Sequence, residues 1–510
     1  MQRQDRQQVS LLIHDLIVVS PPIGSHNMAS HAEAESNKMS ESIAITVVGS
    51  GYVGLVAAAC FAEIGHRVLC VDNDEDKVNK LNQGLVPIHE EFLPELLGRH
   101  RASGQVQFTT DLGHATQASQ VIFIAVGTPQ SETGNADLSY VDAVASEIAR
   151  SIHSYKVIVE KSTVPVYTND WIRRTIERNG VSRALFDVAS NPEFLREGTA
   201  VKDFLHPDRI VLGADSEEAA RLLAAVYEPL TSGGYYERSD AVPGHCSAAD
   251  LPPILQTSTK AAELIKHASN AFLAMKISFI NVVANLCEAV DADVEQVANG
   301  MGMDKRIGQR FLSAGIGYGG SCFPKDVAAF RYVAQQFGID FSLLEEVERI
   351  NELQKERFFQ KIRSALWTLR KKRLGVLGLS FKGDTDDIRE SPALEIMQML
   401  LDAGATIIAY DPAAVERAKM EMPPNECLQY TDDPYAAADN ADALLILTDW
   451  AEFTRLDLEK LRYTLRYPII IDGRNLFDPW VMQDLGFTYL SVGRPSQHTS
   501  VESASTKRWP

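Results

Sequence analysis

Cysteine is scarce in this chain. There are six in 510 residues, namely Cys60, Cys70, Cys246, Cys287, Cys322 and Cys427, and no two form a C-x-x-C pair. A zinc site or a thioredoxin-like motif is therefore not expected, and no metal is called for. Such sparse use in a long chain fits a reducing compartment, with the cytoplasm as the expected location. Positive charge is also short: 49 Lys and Arg face 68 Asp and Glu, a formal net charge of -19. That balance argues against nucleic acid or an anionic membrane as a general partner, and leaves room for a local basic pocket. No uninterrupted apolar run reaches the ~18 residues of a membrane span. What is present is ordinary for a globular protein, 45% hydrophobic and 23% charged. At this length two or three domains are expected.

The ends lack motifs. Val9–Val19 is apolar but interrupted by His14 and Asp15, and no small-residue cleavage site follows it. The polar stretch Ser25–Ser42 reads as disordered, and Met39 is an alternative start. Residues 1–41 are read as an appendage, and the polar residues 491–510 as a tail.

The first ordered signal is Ile43–Val48, a short β-branched run suited to a buried parallel strand. Gly49-Ser50-Gly51-Tyr52-Val53-Gly54 follows directly, then an alanine-rich helix over Leu55–Ile64, then a strand over Arg67–Val71 closed by Asp72. In this context G-x-G-x-x-G is a dinucleotide fingerprint. Gly49 makes the tight turn, Gly51 admits a pyrophosphate, Gly54 allows close packing, and the helix N-terminus faces the phosphates. The carboxylate of Asp72 can bind ribose hydroxyls and would repel a 2′-phosphate, so NAD is expected rather than NADP.

Strand-like runs recur at Val121–Val126, Lys156–Glu160 and Phe186–Ser190. They run into Gly127-Thr128-Pro129, Lys161-Ser162-Thr163 and Asn191-Pro192-Glu193-Phe194-Leu195-Arg196-Glu197-Gly198. These are carboxyl-edge segments, where open α/β sheets bind ligands, which favours a functional role for Glu193 and Glu197 over that of plain surface acids. Ala261–Val290 has neither proline nor glycine and repeats apolar residues at helical spacing, so a long buried connector or dimer spine is expected. Lys266 and Asn270 share one face of it. Ser239–Leu251 reads as a surface loop.

Gly317-Tyr318-Gly319-Gly320-Ser321-Cys322-Phe323-Pro324-Lys325-Asp326 sets a lone cysteine behind flexible glycines. Cys322 can be a covalent nucleophile, Lys325 would favour its thiolate if the two approach, and Asp326 can relay a proton. The stretch alone equally describes a turn around an inert thiol. From Arg373 a second α/β unit begins, with strands at Leu374–Leu377, Thr406–Tyr410, Ala443–Leu447 and Pro468–Ile471. It lacks a full G-x-G-x-x-G and carries Lys382 and Arg474 at strand ends, which suits a mononucleotide with phosphate-binding cations.

Taken together, GSGYVGL, VGTPQ, EKSTVPV, SNPEFLREGTAVKDF, ELIKHASNAFLA, GIGYGGSCFPKD, FKGDTDDIRESPA and IDGRN resemble, in order, the motifs of the UDP-glucose/GDP-mannose dehydrogenase family, from about Ile43 to about Phe477. Phe323 stands where the GDP-mannose branch usually has leucine, and Ser321 where the N-acetylated UDP-sugar branch usually has histidine, so the UDP-glucose branch is the nearest. The chain departs from the family in its amino-terminal extension and in the Ser239–Leu251 loop.

The resemblance implies an α/β fold of two Rossmann-like doubly wound domains joined by a long central helix. The NAD-binding domain would span 42–240, a central helical dimerisation domain with the cysteine loop 241–370, and a UDP-sugar-binding domain 371–490. It implies oxidation of UDP-glucose to UDP-glucuronate by two NAD, in a homodimer or higher homo-oligomer. The alternatives are another nucleotide-sugar substrate or a non-catalytic sensor.

By the same resemblance Cys322 is the nucleophile, Glu193 the acid/base of hydrolysis and Lys266 the oxyanion donor. Asn270 and Asp326 hold a water, and Thr163 supports that network. Lys77, Thr128, Ser162, Glu197, Lys325 and Arg389 lie near the cofactor, beside the glycine motif with its Tyr52 and Val53. The substrate set adds Phe194, Leu195, Tyr318, Gly319, Phe381, Lys382 and Arg474, with Arg306 supplied by a neighbouring subunit.

Overall fold

The computed structural model describes residues 42–129, 136–247 and 249–495. The expectations for residues 1–41 and for the tail beyond 495 fall outside them. Two sheets organise the rest. The first contains β1 (Ala44–Val48), β2 (Arg67–Val71), β3 (Val106–Thr109), β4 (Val121–Ile124), β5 (Lys156–Glu160), β6 (Phe186–Ser190), β7 (Ile210–Ala214) and β8 (Ile254–Thr257), in the order β3-β2-β1-β4-β5-β6-β7-β8. Its pairings are parallel except β6 with β7. The second contains β9 (Arg373–Leu377), β10 (Thr406–Tyr410), β11 (Leu428–Tyr430), β12 (Ala443–Ile446), β13 (Ile469–Asp472) and β14 (Thr488–Leu490), all parallel, in the order β11-β10-β9-β12-β13-β14.

Both sheets are covered on both faces, as parallel sheets require. In β4, Val121 and Phe123 enter one core while Ile122 and Ile124 enter the other. In each sheet the chain order reverses beside the first strand, between β1 and β4 and between β9 and β12. Those switch points open the crevices in which doubly wound folds bind ligands.

The helix Thr259–Val290 runs from the first sheet and packs on helices Phe323–Gln336 and Ser342–Leu366. Ser258 caps it, its hydroxyl accepting the Ala261 N–H at 3.2 Å. Gly213 lets it approach β7, because a Cβ at that position would stand 2.6 Å from the Ala262 methyl. This close approach brings the Lys266 turn over the end of β6. By length and mean hydropathy the helix also meets the description of a membrane span, although the sequence has no uninterrupted apolar run. Its buried side is polar at intervals: Ser278 donates to the Val347 carbonyl at 2.9 Å, and Asn281 accepts the Gly315 N–H at 2.9 Å. Such contacts belong to a protein core.

Two sequence expectations need correction. Strands β3, β7, β8, β11 and β14 went unread: β3, β8, β11 and β14 have only three or four residues and β8 is only half-buried, whereas β7, five residues long and buried, matches the strands that were read and was overlooked. Ser491–Arg494, read as the start of a tail, is tied down: Gly493 N–H donates to Glu288 at 2.7 Å and Arg494 to the Phe477 carbonyl at 2.8 Å.

Candidate active site

The first crevice begins at Gly49, whose φ of +100° and lack of a side chain are both needed. A Cβ there would stand 2.6 Å from the Ala125 carbonyl oxygen. A Cβ on Gly54 would stand 1.8 Å from the Gly49 carbonyl oxygen, which fixes the close packing of helix Tyr52–Glu63. Nothing lies within 4 Å of a Cβ placed on Gly51, so backbone and helix N-terminus are open to a phosphate there. Asp72 Oδ2 accepts the Ser50 N–H at 2.8 Å, the Ser50 hydroxyl at 2.6 Å and the Lys77 ammonium at 3.1 Å. Burial works against its charge, but these donors and the Asp74 N–H hold its carboxyl below the usual range. A carboxylate kept charged at the end of β2 fits an adenosine ribose. These residues therefore fit NAD, which at this edge would supply a hydride acceptor.

At the ends of β4 and β5, Thr128 donates to the Thr163 carbonyl at 3.0 Å and accepts Lys325 Nζ at 3.0 Å, while Ser162 donates to the Val126 carbonyl at 2.8 Å. The expected cofactor-side residues Thr128, Ser162 and Lys325 thus share one patch with Thr163.

Beyond β6 lies the most polar buried cluster. Lys266 Nζ donates to Glu193 Oε1 at 2.7 Å, and both residues are buried. Burial disfavours both charges, yet each holds the other: Glu193 is lowered by Lys266, and Lys266 is raised by Glu193, Cys322 and Asp326. Glu193 Oε2 also accepts the Leu195 N–H at 2.6 Å. Lys266 Nζ lies 5.6 Å from the Phe194 ring centroid, and the Arg209 guanidinium covers the ring at 3.6 Å. One turn along the helix, Asn270 donates to Asp326 Oδ2 at 2.6 Å. Asp326 is buried, and its Oδ1 has no hydrogen-bond partner among the described residues.

Cys322 is half-buried at the N-cap of helix Phe323–Gln336. That position favours a thiolate, but burial wins and pushes the thiol up to about 11, with Glu193 adding to the rise and Lys266 opposing it. Lys266 is a cation that acts on the sulfur, whereas Lys325, which the sequence offered only if the two approach, has its ammonium at Thr128. Ser321 lies 3.6 Å from Sγ and donates to Glu197 at 3.1 Å. Glu197 also meets Arg389 at 3.3 Å, and burial together with Asp387 raises its carboxyl to about 8.

The glycines before Cys322 dock it on the second unit. A Cβ on Gly319 would stand 1.9 Å from the Glu390 carbonyl oxygen, and one on Gly320 would meet the Phe381 ring at 2.8 Å. Tyr318 is buried, its backbone held by Asn351 in both directions at 2.8 and 3.0 Å. Among the described residues the Arg474 guanidinium donates only to carbonyls, those of Leu447 and Phe381 at 2.9 Å and Gly317 at 3.5 Å, while its backbone N–H donates to Asp472 at 2.8 Å. Lys382 makes no salt bridge among the described residues, and burial lowers it. Two cations without carboxylate partners beside one crevice suit an anion.

The second sheet repeats the turn of the first, with Gly378 at φ +96° and Asp411 ending β10 as Asp72 ends β2. Here Asp411 is saturated. It accepts from the N–H groups of Leu379, Ser380, Ala413 and Ala414, the Ser380 hydroxyl and Trp450. No acceptor is left for a ribose, in keeping with the absence of a second dinucleotide fingerprint.

Arg306 stands apart. Among the described residues its exposed guanidinium pairs only with Asp304, two residues away. Sequence reasoning missed Ser50, Ser321, Asp387 and Glu90. The first three adjoin recognised motif residues; Glu90 has no local signal.

Comparison with known proteins covers nearly all of this. Three models of the UDP-glucose/GDP-mannose dehydrogenase family match: the NAD binding domain at 43–231, the central domain at 260–353 and the UDP binding domain at 375–479. The chain is 45% identical over 452 residues to the UDP-glucose 6-dehydrogenase TuaD of Bacillus subtilis, covering 89% of this chain and 93% of that one. It is 46% identical over 455 residues to the UDP-glucose 6-dehydrogenase of Rhizobium meliloti, covering 88% and 99%. The fold matches a UDP-glucose dehydrogenase from Pyrobaculum islandicum at TM-score 0.77 and 39% identity, covering 86% and 95%.

Proposed function

The chain belongs to the UDP-glucose/GDP-mannose dehydrogenase family, and from that premise we propose that it oxidises UDP-glucose to UDP-glucuronate at Cys322, with NAD as the hydride acceptor. The observation that carries the covalent part is the convergence of Lys266, Glu193, Asn270 and Asp326 around one half-buried thiol.

NAD held by the Gly49–Gly54 turn and Asp72 would supply the hydride acceptor, one molecule for each of two oxidations at C6 of the sugar. The first leaves an aldehyde, the C6 hydroxyl proton passing towards Asp326, whose Oδ1 accepts no hydrogen bond among the described residues and lies 3.9 Å from Lys325 Nζ. Cys322 then forms an S–C6 bond as the carbonyl π bond breaks, its thiol proton passing to water. The oxygen becomes an oxyanion beside the Lys266 ammonium, and the adduct still carries a hydrogen to give. After the second oxidation Cys322 holds a thioester. Glu193, kept ionised by Lys266, starts as the base that activates water; the carboxylate product leaves and Cys322 regains a proton. Thr163 orders the edge beside Thr128. Arg474, Lys382 and Phe381 face the nucleotide diphosphate, while Asp72 and the Gly49–Gly54 turn hold the cofactor. Free thiols throughout suit a reducing compartment such as the cytoplasm.

A panel of nucleotide sugars tests the substrate. UDP-glucose with NAD should give the highest kcat/KM; a higher value with GDP-mannose, a UDP-N-acetyl sugar or NADP would overturn the assignment.

A second copy of the chain is part of the same proposal. The helix Thr259–Val290 leaves Phe272, Phe279, Leu286 and Val290 more than half exposed along its length, an apolar row that a partner would cover. Arg306 would then serve the neighbouring site, having no partner there in its own. Mixing Arg306→Ala with Cys322→Ser protein, under conditions that exchange subunits, should restore a measurable part of the activity. Exchanged dimers that stay inactive would contradict a shared site.

A further inference from the structure

Between the cofactor turn and the substrate segment lies a contact that the chemistry above leaves unused. Tyr52 is the first residue of the helix after Gly51. Its hydroxyl accepts the Gly198 backbone N–H at 2.7 Å and donates to Glu90 Oε2. Glu90 is buried, and its Oε1 accepts the Val201 N–H at 3.2 Å. The polarity is self-consistent, since the hydroxyl takes one proton and offers its own. On the other side Gly198, at φ +84°, presses on the second unit: a Cβ there would stand 2.3 Å from the Asp384 carbonyl oxygen. Gly198 is therefore clamped between a side chain rooted in the cofactor turn and the loop that carries Phe381 and Lys382.

The clamped segment is the one that reaches the sugar. Glu193, five residues before Gly198, holds Lys266, and Glu197, its neighbour, holds Ser321 and Arg389. Gly198 adjoins Glu197 and lies five residues after Glu193, so a shift of the Gly51–Tyr52 backbone is passed through the Tyr52 hydroxyl to the chain segment that carries both carboxylates. No other side chain of the glycine turn reaches this segment by a hydrogen bond among the described residues.

We propose that Tyr52 and Glu90 are positioning residues that couple occupancy of the cofactor turn to the placement of Glu193–Gly198, so that dinucleotide and sugar nucleotide strengthen each other's binding. The inference rests on the function proposed above. A cofactor that fixes Tyr52 also fixes Gly198, so less ordering is left for the second ligand to impose. Such coupling is reciprocal: each ligand must change the other's affinity by the same factor.

Titration calorimetry with NADH and UDP-glucose tests it, because NADH cannot accept a hydride and the ternary complex stays intact. In the unmutated protein saturating NADH should tighten UDP-glucose by about fivefold or more, and UDP-glucose should tighten NADH equally. Glu90→Gln, which keeps the buried shape, should bind each ligand alone within about threefold of the unmutated protein, with the coupling factor at least halved. Tyr52→Phe, at a residue of the cofactor turn, should bring the factor to within about twofold of unity even if NADH alone binds more weakly, and serves if Glu90→Gln does not fold. A factor of one in the unmutated protein, or an undiminished factor in the variants, overturns the coupling. So does outright loss of either ligand in Glu90→Gln, which would make Glu90 part of the binding framework. Failure of UDP-glucose to bind the unmutated protein overturns the assigned substrate and the coupling with it, whereas binding with unchanged coupling removes the coupling alone.

Discussion

A Cys322→Ser protein should form UDP-glucuronate about four orders of magnitude more slowly, or not at all, while still binding both ligands. The first oxidation needs a hydride acceptor and a base. The second needs a tetrahedral adduct, and the sulfur is the group placed to make it. Serine has a much higher pKa than a thiol, and no imidazole is set to help it. His267 lies next to Lys266 but is buried, with Nε2 on the Val164 carbonyl at 2.7 Å. An ester formed by the serine would also hydrolyse more slowly than a thioester. The pKa of about 11 adds a second observable. In the unliganded protein, alkylation of Cys322 by iodoacetamide should rise about tenfold per pH unit up to that value, as the thiolate fraction does, and UDP-glucose should block it. Near-normal turnover by Cys322→Ser, with two NADH per sugar, would make the thiol a structural residue.

Lys266→Met should be nearly as damaging, for two separable reasons. Lys266 is the cation that opposes the rise of the thiol and stands ready for the oxyanion, so kcat should fall about 10²–10³-fold. Alkylation of Cys322 at a given pH should slow, because a cation that lowers its pKa is gone while the Ser321 contact remains. The substitution also leaves Glu193 buried without its cation, a loss of about 3–5 kcal/mol in stability. Adding Glu193→Gln removes the stranded charge and should recover part of the melting temperature but none of the activity. A kcat within about threefold of normal in Lys266→Met would rule out the oxyanion role.

What the sequence revealed depended on whether neighbours in space were neighbours in the chain. The cofactor turn was legible because Gly49, Gly51 and Gly54 act within six residues, and Asp72 closes the next strand. Nine of the fourteen strands were legible as short apolar runs that needed no partner to be recognised, while the doubly wound arrangement came from the family resemblance. Lys266 was ambiguous. A lysine on an apolar helix is usually a surface residue, and only its contact with Glu193, 73 residues earlier, shows that it is buried and paired. Lys325 was offered to the thiol on condition that the two approach; it is three residues away in sequence, but its ammonium is turned to Thr128, 197 residues earlier. Glu90 had no signal at all, because its partners Tyr52 and Val201 come from distant segments and a single glutamate in a loop looks like any surface acid. The short strands β8, β11 and β14 lie at or near sheet edges, where pairing rather than composition defines them.

The central claim is a four-electron oxidation at one thiol, and the yield of NADH per UDP-glucose consumed tests it most directly. With limiting UDP-glucose and excess NAD the account predicts two NADH for each sugar, UDP-glucuronate as the only product, and no free aldehyde. A yield of one, with a UDP-linked aldehyde accumulating, would contradict it.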